Sequence, residues 1–130
     1  MKVYIAHSKK MNYKDELYIP LRDESFFDNY ELVLPHEESD ISNNTRNFYK
    51  TIDLFIAEVS LAGTGLGIEL GWVYDEGTPI YCLYKKGSKL ANSLHSVTTK
   101  FYEYDNSQQF VDIVKEIVMK EGKKYDYKKI

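Results

Sequence analysis

The segment Asp53-Leu-Phe-Ile-Ala-Glu-Val59 is apolar at nearly every residue rather than at every second one. A strand with one wet face alternates. A strand that is apolar throughout must be covered on both faces, which is the condition of a central strand in a parallel sheet. The chain then runs through Ser60-Leu-Ala-Gly-Thr-Gly-Leu-Gly67, a glycine-rich loop, into a helix predicted from about Leu66 to Glu76 and ended by Gly77.

The flanking sequence repeats the same alternation of elements. Lys2–Ala6 reads as a first strand opening into the polar His7-Ser-Lys-Lys10, Glu31–Pro35 as a second strand, Pro79–Tyr84 as a fourth and Lys100–Tyr104 as a last. Leu17, Ile19, Leu21, Phe26 and Phe27 suggest a helix within residues 13–29, with Pro20 expected to break or kink it. A short helix is predicted from Asn44 to Thr51, capped by Asn43 or Asn44, after a polar loop from His36. Ser107 is the expected cap of a final helix in which Phe110, Ile113, Val114, Ile117 and Val118 recur at helical spacing.

Strands alternating with helices make right-handed βαβ units. The expected fold is therefore α/β, a doubly wound, flavodoxin-like, mostly parallel sheet of about five strands with helices on both faces. No repeat or linker divides the chain, so residues 1–121 read as a single domain, followed by a basic tail at 122–130 that frays or docks on a neighbour.

Composition narrows the partners. A net charge of −3 and an isoelectric point near 5.6 argue against a nucleic acid polymer, whose backbone demands a basic face, but allow one small nucleotide. No stretch approaches the ~20 apolar residues of a membrane span, and Met1–Ala6 is no signal peptide, so no membrane partner and a cytoplasmic location are expected. The one cysteine, Cys82, lies in an apolar run and reads as a buried hydrophobe. The twelve tyrosines read as core and interface residues, with Tyr4 a possible exception.

In a doubly wound sheet, ligands bind outside the carboxyl ends of the strands. That places His7–Lys10 and Ser60–Gly67 on the functional edge. The run Gly63-Thr-Gly65-Leu-Gly67-Ile-Glu69-Leu-Gly71 is neither a dinucleotide fingerprint nor a Walker loop, since Ile68 takes the third glycine position and no Gly-Lys-Ser/Thr follows. Its glycines let backbone approach a ligand and leave amides facing it. Glu69 follows directly. It is either a helix-stabilising carboxylate, worth about 0.3–1 kcal/mol, or a nucleophile that can attack an anomeric carbon and form a glycosyl-enzyme.

The stretch from Asp53 to Gly71 resembles the signature of the nucleoside 2-deoxyribosyltransferase family. It is most similar to the branch of 2′-deoxynucleoside 5′-phosphate N-hydrolases, and the likeness extends loosely from Tyr4 through Ile80-Tyr-Cys-Leu-Tyr to Ser93. The resemblance implies that Glu69, the glutamate before Leu-Gly, is the nucleophile. It implies that Tyr4 lines the nucleotide pocket, that His7, Ser8 and Lys9 stand where a loop wraps a 5′-phosphate, and that Ser93 reaches the phosphate in a neighbouring subunit, hence a homodimer. Gly63, Gly65 and Gly67 would approach the substrate. Neither a cofactor nor a metal is implied.

Two positions depart from the pattern. Thr45 stands where the hydrolases carry an acidic residue that positions the sugar and assists the leaving base, with Asn44, Arg46 or Asp40 as nearby substitutes. Gly63 stands where the hydrolases have serine and the transferases aspartate. The expected function is N-glycosidic cleavage or deoxyribosyl transfer on a small nucleoside or nucleotide. A nucleotide-binding or signalling module with weak turnover is the alternative, and a partner-binding flavodoxin-like domain is a third reading.

Overall fold

The computed structural model describes residues 1–38 and 45–128. Five strands form one sheet: β1 (Lys2–His7), β2 (Glu31–Val33), β3 (Leu54–Glu58), β4 (Ile80–Lys85) and β5 (Phe101–Tyr104). Every neighbouring pair is parallel, and the order β2-β1-β3-β4-β5 is that of the flavodoxin-like doubly wound fold. The winding reverses between β1 and β3, so the crevice lies beyond their carboxyl ends.

Period-two alternation sorts the core onto the two faces. Val3 and Ile5, Leu54 and Ile56, and Tyr81 and Leu83 point to one side, against α1 (Ile19–Arg22) and α4 (Ser107–Lys128). Tyr4 and Ala6, Phe55 and Ala57, and Ile80 and Cys82 point to the other. There α2 (Arg46–Tyr49) contributes Tyr49, and α3 (Thr64–Asp75) contributes Leu66, Leu70 and Val73. Cys82 is fully buried and burial pushes its thiol up to about 12, which leaves it an inert packing residue.

Several boundaries differ from those expected. Pro20 does not break its segment, because a π-helical turn at Lys14–Tyr18 precedes it and the Ile19 amide donates to the Lys14 carbonyl. Pro20 then sits in the first turn of α1, where a missing amide costs no helical hydrogen bond. Helix α3 begins at Thr64, not Leu66, so Gly65 and Gly67 are helical rather than loop residues. Its end is as read: Gly77, at φ 73°, donates to the Tyr74 carbonyl while the Thr78 amide donates to that of Val73.

The final helix is capped by Asn106 rather than Ser107. The Asn106 Oδ1 accepts from the Gln109 amide at 2.9 Å, and Gln109 reaches back to accept from the amide of Asp105. That helix also runs on to Lys128, with Gly122 packed near Tyr30 and Met1, so position 121 marks no structural boundary. The expected caps Asn43 and Asn44 lie outside the described residues. Thr45, directly before α2, makes no side-chain cap. No helix among the described residues is long and apolar enough to cross a membrane.

Candidate active site

Strand β1 turns Tyr4 toward the α2–α3 face, where its ring stacks on Phe55 from β3 at 5.3 Å and 7°. Tyr49 arrives from α2, buried and tilted against Tyr4 at 5.4 Å and against Trp72 at 5.2 Å. Glu69 comes from the second turn of α3, between the inward-facing Leu66 and Leu70. All three side chains converge on one atom. The Tyr49 hydroxyl donates to Glu69 Oε2 at 2.8 Å, and the Tyr4 hydroxyl donates to the same oxygen. The two phenolic oxygens lie 3.1 Å apart.

Burial raises the pKa of Glu69 above the usual carboxylate range, and the hydrogen bonds from Tyr4 and Tyr49 pull partly the other way. The phenol of Tyr4 is pushed up by burial and by the carboxylate beside it, so it stays protonated and acts as a donor. The arrangement is a half-buried carboxylate with one oxygen held by phenols. Such a group can serve as a nucleophile once ionised.

The loop after β1 meets the turn before α3. Ser8 is buried, its Oγ accepting from the Lys10 amide at 3.2 Å and donating to the Ala62 carbonyl at 3.4 Å. A Cβ on Gly63 would stand 3.3 Å from that Oγ, a tight contact that Ser8 would have to relieve by a few tenths of an ångström. Beyond Gly65 and Gly67 there is open space within 4 Å, so packing within this chain does not require those two glycines. Lys9 is exposed.

His7 belongs to the opposite face of the sheet. Its Nδ1 faces the Ser8 carbonyl at 3.1 Å and must donate there, which leaves Nε2 to accept from the Tyr18 hydroxyl at 2.6 Å. That hydroxyl in turn accepts from the His36 amide at 3.1 Å. His7 stacks 4.3 Å from Tyr13 at the end of β1, and burial lowers its pKa to about 4.

The remaining expected residues are dispersed. Arg46 pairs with Asp75 at 2.7 Å at the far end of α3, and Thr45 is exposed. Asn44, like Asp40, lies outside the described residues. Ser93 is exposed in a 3-10 turn (Asn92–Ser96) and lines a groove of about 160 Å³ with Gly63, Gly67, Leu70, Lys89 and Leu94. Glu69 is not among the residues that line this groove. Among the described residues no cluster of His, Cys, Asp or Glu could hold a metal ion.

Two groups went unread in the sequence. Tyr49 was hidden among twelve tyrosines; its signal was that a hydroxyl buried in a short helix must find a partner. Glu58, 1% exposed, holds the turn out of β3. It accepts from the Ser60 amide at 2.6 Å, the Ser60 hydroxyl at 2.9 Å and the Tyr104 hydroxyl. Ser60 Oγ also accepts from the Lys85 amide at 2.8 Å, which ties the ends of β3 and β4 together.

Two solved structures share this architecture. One is described as Clostridium botulinum CMP N-glycosidase, BcmB, with 22% identity, a TM-score of 0.57, and coverage of 88% of this chain and 98% of its own. The other is a conserved protein from Enterococcus faecalis V583, with 15% identity, a TM-score of 0.58, and coverage of 89% and 98%. The likeness is one of fold. No family model matches the chain, and no curated protein matches its sequence.

Proposed function

We propose that this chain cleaves the N-glycosidic bond of a small nucleoside or nucleoside 5′-monophosphate, with Glu69 as nucleophile. The observation that carries the reading is the Glu69 carboxylate, partly withdrawn from water, with two phenols on Oε2. The shared fold with a CMP N-glycosidase supports it. In the step envisaged, Oε1 bonds to the anomeric carbon as the bond to the base nitrogen breaks and its electron pair leaves with the base. Solvent protonates the base. Water then adds at the same carbon, freeing Glu69 in hydrolysis, or a second base does so in transfer.

The exposed Thr45, in place of an acidic residue, favours the second reading of a nucleotide-binding module with weak turnover. We propose further that the functional unit is a homodimer in which Ser93 completes the partner's phosphate site. Incubation with ribo- and deoxynucleosides and their 5′-monophosphates, followed by chromatography for free base, separates the readings. Base release that is abolished in Glu69→Gln, with thermal unfolding within a few degrees of wild type, is expected. Unchanged turnover in that variant would overturn the mechanism.

A further inference from the structure

We propose that Tyr49 is a positioning residue for Glu69, acting with Tyr4 as an adjustable pair of proton donors on Oε2 that reserves Oε1 for attack. This rests on the glycosidase reading for its chemistry and on the geometry alone for its electrostatics. Three oxygens, the two phenolic ones and Oε2, make three close contacts, but the phenols supply only two protons. An ionised carboxylate draws both. When Glu69 is esterified by the sugar, Oε2 becomes a neutral carbonyl oxygen and a weaker acceptor. One phenol can then keep that bond while the other turns to its neighbour, 3.1 Å away. Neither the anion nor the ester leaves a buried hydroxyl stranded, which is what an intermediate in a dry pocket requires.

Packing fixes where the hydroxyls sit. Phe55 lies flat against Tyr4, and Phe48 meets the Tyr49 ring edge-on at 5.7 Å. Trp72 closes another side of Tyr49 from α3, one turn beyond Glu69 itself. Among the described residues, the titratable groups that bear on Glu69 are phenols: Tyr4 from β1, Tyr49 from α2 and, more weakly, Tyr18 from the turn before α1. Burial acts most strongly on its ionisation, and the hydrogen bonds from Tyr4 and Tyr49 oppose it.

The sign of the expected effect follows. A donor to the charged form lowers a carboxyl pKa, so Tyr49→Phe, which keeps the ring and removes the hydroxyl, should raise that of Glu69 by about one pH unit. The acid limb of base release should move up equally, with kcat falling more than KM rises, and Tyr4→Phe in the same chain should move it further. Carbon-13 NMR titration of the Glu69 carboxyl, in wild type and Tyr49→Phe, reads the same shift without substrate. A carboxyl pKa that does not move overturns the role of Tyr49, whatever the activity. A shifted pKa in a protein whose wild type releases no base from any substrate leaves the positioning intact and overturns the glycosidase reading instead.

Discussion

His7 shows how little residue type says about role at a sheet edge. It follows the first strand in a polar run, as a phosphate-binding residue would, yet it is buried on the face opposite Glu69. Burial holds its imidazole down to about 4, against an ordinary 6.5, so the folded protein keeps it neutral. An unfolded chain protonates it near 6.5. The stabilisation is therefore complete above that pH and is lost as the pH falls toward 4, amounting to about 3 kcal/mol at most. Urea unfolding between pH 7 and pH 4 should show this slope, and His7→Gln, which cannot titrate, should flatten it. An unchanged slope in the variant would place the acid sensitivity elsewhere. Glu69 could be singled out as a candidate because a carboxylate after a glycine run is a short local pattern. Tyr49 was not, because its role depends on α2 and β1 meeting across the sheet, a contact between residues 45 positions apart in sequence.

At the scale of elements, legibility followed the strength of local physics. The apolar runs at β3 and β4 could only be buried strands, and α4 declared itself by helical spacing. The segment before β2 was read as helical but with a break at Pro20, since a π-helical turn that accommodates the proline has no signature beyond the proline itself. Glycine explains the end of α3, where Gly77 takes a left-handed turn that a side chain disfavours; at its start a side chain on Gly63 would only crowd Ser8. Gly77→Ala should therefore cost about 1–2 kcal/mol in denaturant unfolding and leave the pKa of Glu69 untouched, since it acts two turns from the carboxylate. A variant as stable as wild type would show that the hydrogen bonds after α3 tolerate another ending.

For the whole molecule, Ser93 stands in the turn after β4 while Glu69 stands on α3, and the groove that Ser93 lines does not include Glu69. Leu66, Gly67 and Leu70 of α3 border the Ser93 groove and stand about 60°, 160° and 100° from Glu69 around the helix axis. In the proposed homodimer, Ser93 contacts substrate in another copy. The outer face of α3 offers a means, because Ile68 and Tyr74 are apolar and about half exposed, at 49% and 57%. A symmetric pair would bury them twice. Mixing Glu69→Ala with Ser93→Asp subunits tests this. Random re-pairing makes half of the dimers mixed, and each mixed dimer holds one intact site of two, so about a quarter of wild-type activity should return. A site built within one chain recovers nothing. A monomer by light scattering at assay concentration, or no recovery despite exchange of subunits, would sink the shared site and return Ser93 to the role of an ordinary turn residue.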